Sequence, residues 1–182
     1  MEPHAFVAEV YRRMSERHRP ERRAPTWDQI KNEPAVLQAM EDYRGLLPAD
    51  KNAPILDVGF GSGWFLAACI NLGYTNLSGA EFGIEQRTYI KDWSPSIKML
   101  AQIDSTIGDF LCHYTDQFGV IHMSHVIEHI PKYSLFYVVD SMYAALRSGG
   151  TLLLRTPNME GHVLIRVTTS RSDMNMVLPA RI

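Results

Sequence analysis

Ile55-Leu56-Asp57-Val58-Gly59-Phe60-Gly61-Ser62-Gly63 is the stretch of this 182-residue chain that decides its fold. Residues 53–58 form a short apolar run, which predicts a buried parallel strand. The run breaks into glycines at every second position, and residues 64–72 then carry a helical pattern closed by Gly73. Strand, glycine turn and helix is the arrangement by which an α/β fold brings bare backbone N–H groups and a helix N-terminus up to a ligand. Glycine suits the turn because a Cβ blocks both the tight bend and the close approach.

The spacing argues against a dinucleotide. A pyrophosphate fingerprint, G-x-G-x-x-G, needs glycine at position 64, where this chain has Trp64. Asp57 stands at the mouth of the turn, where a carboxylate repels a pyrophosphate and suits a cation. S-adenosylmethionine (SAM), with its sulfonium and α-ammonium, is such a ligand. Residues 77–81, Leu-Ser-Gly-Ala-Glu, predict a second strand ending in an acid. That acid, Glu81, falls roughly 20 residues beyond the glycines, the usual distance for a carboxylate that accepts hydrogen bonds from ribose hydroxyls.

At these positions the chain resembles the class I SAM-dependent methyltransferases. Asp57-x-Gly59-x-Gly61-x-Gly63 matches the family's first motif, and Glu81 its ribose-binding acid. Ile107-Gly108-Asp109-Phe110 resembles the "G-D" element, whose acid faces the adenine amino group. Residues 120–130 resemble the fourth strand and its "hVLEHI" continuation, and residues 145–158 the fifth strand with its Thr156-Pro157-Asn158 ending. The resemblance implies a Rossmann-like, doubly wound, mostly parallel α/β sheet that binds SAM through Asp57, Gly59, Gly61, Gly63, Glu81, Phe82, Asp109 and Phe110. Phe82 or Ile84 flanks the base in that pattern, although either also suits a core.

Ligands of doubly wound sheets bind at the carboxyl ends of the strands, where His125, Glu128 and His129 follow the fourth strand. Methyl transfer to a hydroxyl requires that the nucleophile be aligned and its proton removed, a task suited to histidine. On a helical turn these three residues share one face. Small-RNA 2′-O-methyltransferases and ubiquinone-pathway O-methyltransferases carry a related Mg²⁺-binding E-x-x-E-H element. His125 replaces its first acid here, which diminishes an oxygen-rich site. Three readings remain open: an acid–base group, a transition-metal site, or hydrogen bonds that hold the turn. The first is carried forward and no metal is assigned. His122, inside the strand, is expected to be a hydrogen-bonded core histidine.

The apolar fraction of 46% and charged fraction of 21% are those of an ordinary globular domain. A net charge of −2 gives no general pull toward nucleic acid. Cys69 and Cys112 are expected to be buried free thiols in a reducing compartment. With no membrane-length apolar run and no signal-peptide pattern, the expected location is the cytoplasm.

Residues 1–50 predict a helical cap, 51–160 the SAM-binding core, and 161–182 a short atypical tail. The cap comprises a helix over 5–17, an arginine-rich loop to residue 25, a second helix capped by Thr26 or Asp28, and a third over 34–47 with Val36, Met40, Tyr43 and Leu47 on one side. The arginines from Arg12 to Arg23 suit a phosphorylated substrate or, interleaved with Glu16 and Glu21, a solvated face. A helix over 135–147, capped by Ser134, carries a predicted core stripe of Leu135, Val139, Met142, Tyr143 and Leu146 and ends at Gly149-Gly150. The family's fifth strand is followed by an antiparallel pair. Here residues 163–169 and 176–179 leave room for only a short one, so a minimal, truncated or altered ending is expected. An unpaired sheet edge favours homo-oligomers.

The expected activity is O-methylation of a small-molecule or sugar/glycan hydroxyl: histidines follow the fourth strand and no Asn/Asp-Pro-Pro-Tyr motif appears, which favours oxygen, and residues 156–161 resemble methyltransferases of bacterial surface-glycan pathways, which favours a sugar. The alternative is a SAM-binding but inactive partner subunit. Trp64 and Asp57 disfavour an NAD-dependent oxidoreductase.

Overall fold

The computed structural model describes residues 26–82, 90, 91, 93–100, 106–158 and 161–169. Its helices are α1 (Trp27–Ile30), α2 (Pro34–Tyr43), α3 (Trp64–Asn71), α4 (Ile107–Leu111) and α5 (Leu135–Ala145). Its strands are β1 (Ile55–Val58), β2 (Leu77–Ala80), β3 (Lys98–Met99), β4 (Phe118–Ser124), β5 (Leu146–Asn158) and β6 (Gly161–Thr168). Two 3₁₀ turns, Ile127–His129 and Lys132–Ser134, join β4 to α5.

The described strands form one sheet in the order β3-β2-β1-β4-β5-β6. All neighbours are parallel except β5 and β6. The chain runs outward from β1 through β2 and β3, then returns to the other side of β1 as β4. This reversal opens a crevice beyond the carboxyl ends of β1 and β4, the switch point at which such sheets bind ligands.

Both sheet faces are covered, so β1 and β2 are buried at every residue. On one face Ile55, Val120 and Leu153 pack against α2 and α3 through Val36, Tyr43 and Phe65. On the other, Leu56, Val58, Ile121, Met123, Leu152 and Leu154 pack against α4 and α5. The strand alternation thus assigns Asp57, His122 and Arg155 to the α2–α3 face.

Several elements differ from the sequence expectation. Helix α2 stops at Tyr43, where Leu46 and Leu47 turn back to the Tyr43 carbonyl ahead of Pro48. Helix α5 stops at Ala145, because Leu146 already pairs with Phe118 as strand. The register shifts before Val120 meets Thr151, so Gly149 and Gly150 lie in an irregularity of β5 rather than at a helix end.

With Leu146 off the helix, the buried stripe of α5 is Val138, Ser141, Met142 and Ala145, and Val139 and Tyr143 face outward. Strand β6 pairs along β5 from Thr151–Thr168 to Asn158–Gly161. The expected partner at 176–179, the helix over 5–17, the arginine cluster and Ile84 lie outside the described residues. Thr26 N–H donates to Gln29 Oε1 at 2.9 Å, which starts α1 where the sequence predicted. Both cysteines are unpaired; Cys69 is buried, and that burial pushes its thiol pKa up, whereas Cys112 is exposed, against expectation. No described helix is long and apolar enough to cross a membrane.

The adjacent valines of α5 test its orientation. Val138 is 1% exposed and Val139 37%. Val138→Ala is expected to cost about 2 kcal/mol in denaturant unfolding, and Val139→Ala less than ~0.5 kcal/mol. Equal losses would return Val139 to the core.

Candidate active site

The glycine turn carries β1 into α3. Gly59, Gly61 and Gly63 all have left-handed backbone, with φ of 71°, 52° and 75°. A Cβ on Gly59 would lie 2.4 Å from Val126 Cγ2, so this glycine is needed for internal packing. A Cβ on Gly61 would meet no atom within 4 Å, so the space beyond that turn is open to a ligand. Glu81, at the end of the neighbouring strand, spans this opening. Its Oε2 accepts from Gly61 N–H at 2.9 Å and its Oε1 from Phe82 N–H at 2.8 Å. A carboxylate, the Gly61 backbone and open space therefore meet at one point, as a ribose site requires.

A cavity of about 230 Å³ lies on the other side of the turn, lined by Ala35, Ala39 and Tyr43 of α2, the turn itself, Trp64 and Phe65 of α3, and Asp57, His122, Ser124, His125 and Arg155 from the strand ends. It is smaller than the ~300–1,000 Å³ of sites for drug-sized ligands. Its size suits a small molecule or part of a larger one. Helix α2 both packs on α3 and walls this cavity, so the helical cap belongs to the site.

Beneath the cavity runs a chain of hydrogen bonds. Asp57, 2% exposed, accepts from His122 Nδ1 at 2.7 Å. Because a carboxylate only accepts, Nδ1 carries the proton and Nε2 accepts from the Tyr43 hydroxyl at 2.9 Å. On the neighbouring residue of α2, Asp42 Oδ2 accepts from Arg155 Nη1 at 3.0 Å, and the Arg155 charge lies close enough to act on the Tyr43 phenol. Phe65 stacks on the imidazole at 3.7 Å between ring centroids. The expectation that His122 is a hydrogen-bonded core residue holds, and the same residue also lines the cavity. Burial is the main cause that pushes the Tyr43 phenol up to about 12, with the Arg155 charge opposing it.

The residues after β4 do not share one helical face. His125 has φ of 55°, a left-handed conformation that strains a non-glycine residue, and its N–H donates to the Arg155 carbonyl at 2.9 Å. Its ring borders the cavity, with Nδ1 3.6 Å from Glu128 Oε1. Glu128 stands behind it, where Oε2 accepts from the Thr156 hydroxyl at 3.2 Å. His129 does not border the cavity: the 3₁₀ turn begins only after Val126 has tucked under Gly59, and this carries residue 129 away. Among the described residues no group of three or more His, Cys, Asp or Glu side chains is gathered as a metal site.

Asp109 lies in α4, and its two carboxylate oxygens accept from Tyr137 at 3.1 Å and Thr106 at 2.7 Å. The bond to Asp109 is the leading cause of the raised Tyr137 pKa. Phe110 is buried with its ring 5.1 Å from Tyr114, and Phe82 packs at the margin of the α4–α5 core. Neither Asp109 nor Phe110 borders the cavity, so they are not gathered with His125. Tyr43, Trp64 and Arg155 are among the cavity residues that sequence reasoning missed. The inward parity of β5, which puts Arg155 on the Leu153 face, was the one available signal.

The turn, the acid at the second strand and the cavity at the switch point define a SAM-binding fold, and comparison agrees. The family described as "Methyltransferase domain" matches residues 26–177. The chain belongs to that family, and its sheet has the Rossmann-like fold of the solved structures it resembles. Similar solved structures include a SAM-dependent methyltransferase from Archaeoglobus fulgidus, 19% identical, with a TM-score of 0.55 over 68% of this chain and 54% of that one. Another is a possible histamine N-methyltransferase from Thermotoga maritima, 17% identical, with a TM-score of 0.54 over 85% and 62%. A third is phosphoethanolamine N-methyltransferase 1 of Haemonchus contortus, in complex with phosphoethanolamine and S-adenosylhomocysteine, 12% identical, with a TM-score of 0.66 over 97% and 37%. The chain thus spans roughly a third to three-fifths of the length of these structures. Among curated proteins none matches it.

The Tyr43 phenol has a definite alkaline signature. Its folded pKa lies above the ordinary 10, so its contribution is fully present below pH 10 and is lost as pH rises through about 12. Between these values the wild type is expected to lose about 2 kcal/mol more stability than Tyr43→Phe, read from urea unfolding at each pH. Parallel curves would place the phenol in contact with water.

Proposed function

We propose that this chain transfers a methyl group from SAM to an oxygen of a small acceptor, with a sugar or other small-molecule hydroxyl as the leading substrate. The observation that carries the proposal is His125, held at the cavity rim beside the glycine turn with a carboxylate behind it. When bound, the cofactor supplies an electrophilic methyl on a sulfonium. The protein's part is to hold the reactants in line and take up the acceptor's proton.

In this reading Gly61 and Glu81 hold the ribose, with Gly59 and Gly63 shaping the turn. Asp57 supplies negative charge toward the cationic end of the cofactor while His122 keeps it fixed. Phe82, Asp109 and Phe110 form the adenine side, where Asp109 exchanges Tyr137 or Thr106 for the amino group. His125 accepts the acceptor's proton at Nε2, and Glu128, near Nδ1, stabilises the imidazolium that forms. His129 acts only through the turn.

A second reading, a SAM-binding partner subunit, draws on the outer face of α5 and the 3₁₀ turn before it, where Phe136 is 81% and Tyr133 67% exposed, as an aromatic surface on which another protein would dock. It differs in one respect: cofactor binding without turnover.

Calorimetry should find S-adenosylhomocysteine bound with a dissociation constant in the ~micromolar range. Glu81→Ala should weaken binding by about 1.5–3 kcal/mol, and Gly61→Val by more. Parental affinity in both variants would remove the ribose assignment.

His125 separates catalysis from stability. Asn tolerates left-handed backbone, so His125→Asn should leave unfolding stability unchanged or raise it by up to about 1 kcal/mol. Turnover of a hydroxyl acceptor should fall ~10²–10⁴-fold, and the ascending limb of the pH profile should vanish. Retained turnover would make His125 a turn residue only.

A further inference from the structure

The cavity has a charge pattern that the methyl-transfer reading does not use. Of its lining side chains, one carboxylate is present, Asp57, and it is buried and bonded to His122. One permanent cation is present, Arg155, on the side of the cavity where β5 passes Ser124, the last residue of β4. Its side chain is 27% exposed, and the carbonyl of the same residue fixes the His125 backbone.

A guanidinium has five N–H donors in a planar fork. Asp42 holds Arg155 through one terminal nitrogen, at 3.0 Å. Asp42 is itself 27% exposed and attached to α2 outside the cavity lining, so it is a tether that an incoming oxyanion can displace or share. The uncommitted part of the fork is available to oxygens in the cavity. An anion held there stands next to His125, with the rest of its molecule directed at the imidazole.

We propose that Arg155 is the specificity-determining residue of the acceptor subsite and selects an acceptor that carries an anionic group, a carboxylate or a phosphate monoester, near its methylated hydroxyl. The proposal rests on the methyltransferase reading. In it Asp42 competes with the acceptor: it keeps the fork oriented in the free protein and yields to the anion. The acidic Asp57 wall disfavours placing the anion deeper, so the group is confined to the β5 side. An uncharged acceptor would leave the guanidinium facing the cavity without its oxyanion partner.

The test titrates inorganic phosphate and acetate into S-adenosylhomocysteine-saturated protein at constant ionic strength, followed by ³¹P line broadening and by saturation-transfer NMR. Both anions are expected to bind the wild type, and whichever binds more tightly identifies the acceptor's group. Arg155→Gln should weaken binding at least ~10-fold, as loss of a charge-assisted pair implies. Asp42→Asn should tighten it roughly 2–5-fold by removing the competitor. Calorimetry should show S-adenosylhomocysteine affinity within about twofold of wild type in both variants, since Arg155 serves the acceptor. Absence of anion binding in the wild type, or its survival in Arg155→Gln, overturns the proposal. So does a tenfold loss of S-adenosylhomocysteine affinity in that variant, which would assign Arg155 to the cofactor's carboxylate. Should Arg155→Gln fail to fold, failure of Asp42→Asn to tighten binding overturns it instead. A wild type that binds anions but no S-adenosylhomocysteine would defeat the methyltransferase reading separately, because the anion titrations are also run without that ligand.

Discussion

A buried carboxylate constrains this structure more than any other group. Asp57 is 2% exposed at the end of a central strand, where an unpaired charge would cost several kcal/mol. Its partner His122 comes from the adjacent strand at the same register position, Asp57 opposite His122. The imidazole can satisfy a carboxylate only by turning its second nitrogen toward another donor, and Tyr43 is that donor. Each bond fixes the direction of the next, so one acid on β1 determines side-chain positions on β4 and α2, and Asp42, next to Tyr43 on α2, holds Arg155 of β5. Breaking such a pair costs about 3–5 kcal/mol, a large fraction of the ~5–15 kcal/mol that stabilises a whole domain.

The chain of bonds also explains why strain is stored in this place. On the α2–α3 face, β1 and β4 begin with apolar residues, Ile55 and Val120, and become polar toward their carboxyl ends, at Asp57 and His122. On β5, Leu153 gives way to Arg155 opposite Ser124 in the same manner. The sheet edge where ligands bind is thus built from groups that must be hydrogen-bonded rather than packed. At the next residue His125 takes a left-handed conformation at a cost of about 1–2 kcal/mol. What holds it there is the bond to the Arg155 carbonyl and the anchoring of Val126 beneath Gly59. That glycine is required by Val126, whereas Gly61 faces open space. Two glycines of one motif therefore answer to different constraints, one internal and one toward the ligand.

How far the sequence discloses this depends on the range of each interaction. The glycine turn, Glu81 and the parallel strand order follow from local pattern and short spacing, and they are found where the pattern predicts. Thr26 as the start of α1 is local too. The pairing of Tyr43 with His122 joins residues 79 positions apart on different elements, and no periodicity encodes it. The face of α5 failed for a related reason. Its sequence offers two apolar stripes, Val138-Met142-Ala145 and Val139-Tyr143, and the choice depends on where β5 begins, which Phe118 decides by pairing with Leu146. His125, Glu128 and His129 were legible as residues after a strand but not as a group. A 3₁₀ turn in place of an α-helical one separates His129 from His125.

The helical cap is tied to the core by more than cover. An apolar helix face alone tolerates sliding and rotation, since dispersion contacts are non-directional. Tyr43 and Asp42, consecutive residues at the end of α2, instead hold directional bonds to two different strands. These bonds set both the distance of α2 from the glycine turn and its rotation over the cavity. Val36 and Ala39 supply the packing of α2 along its length, and Tyr43 and Asp42 at its end supply the bonds to His122 and Arg155.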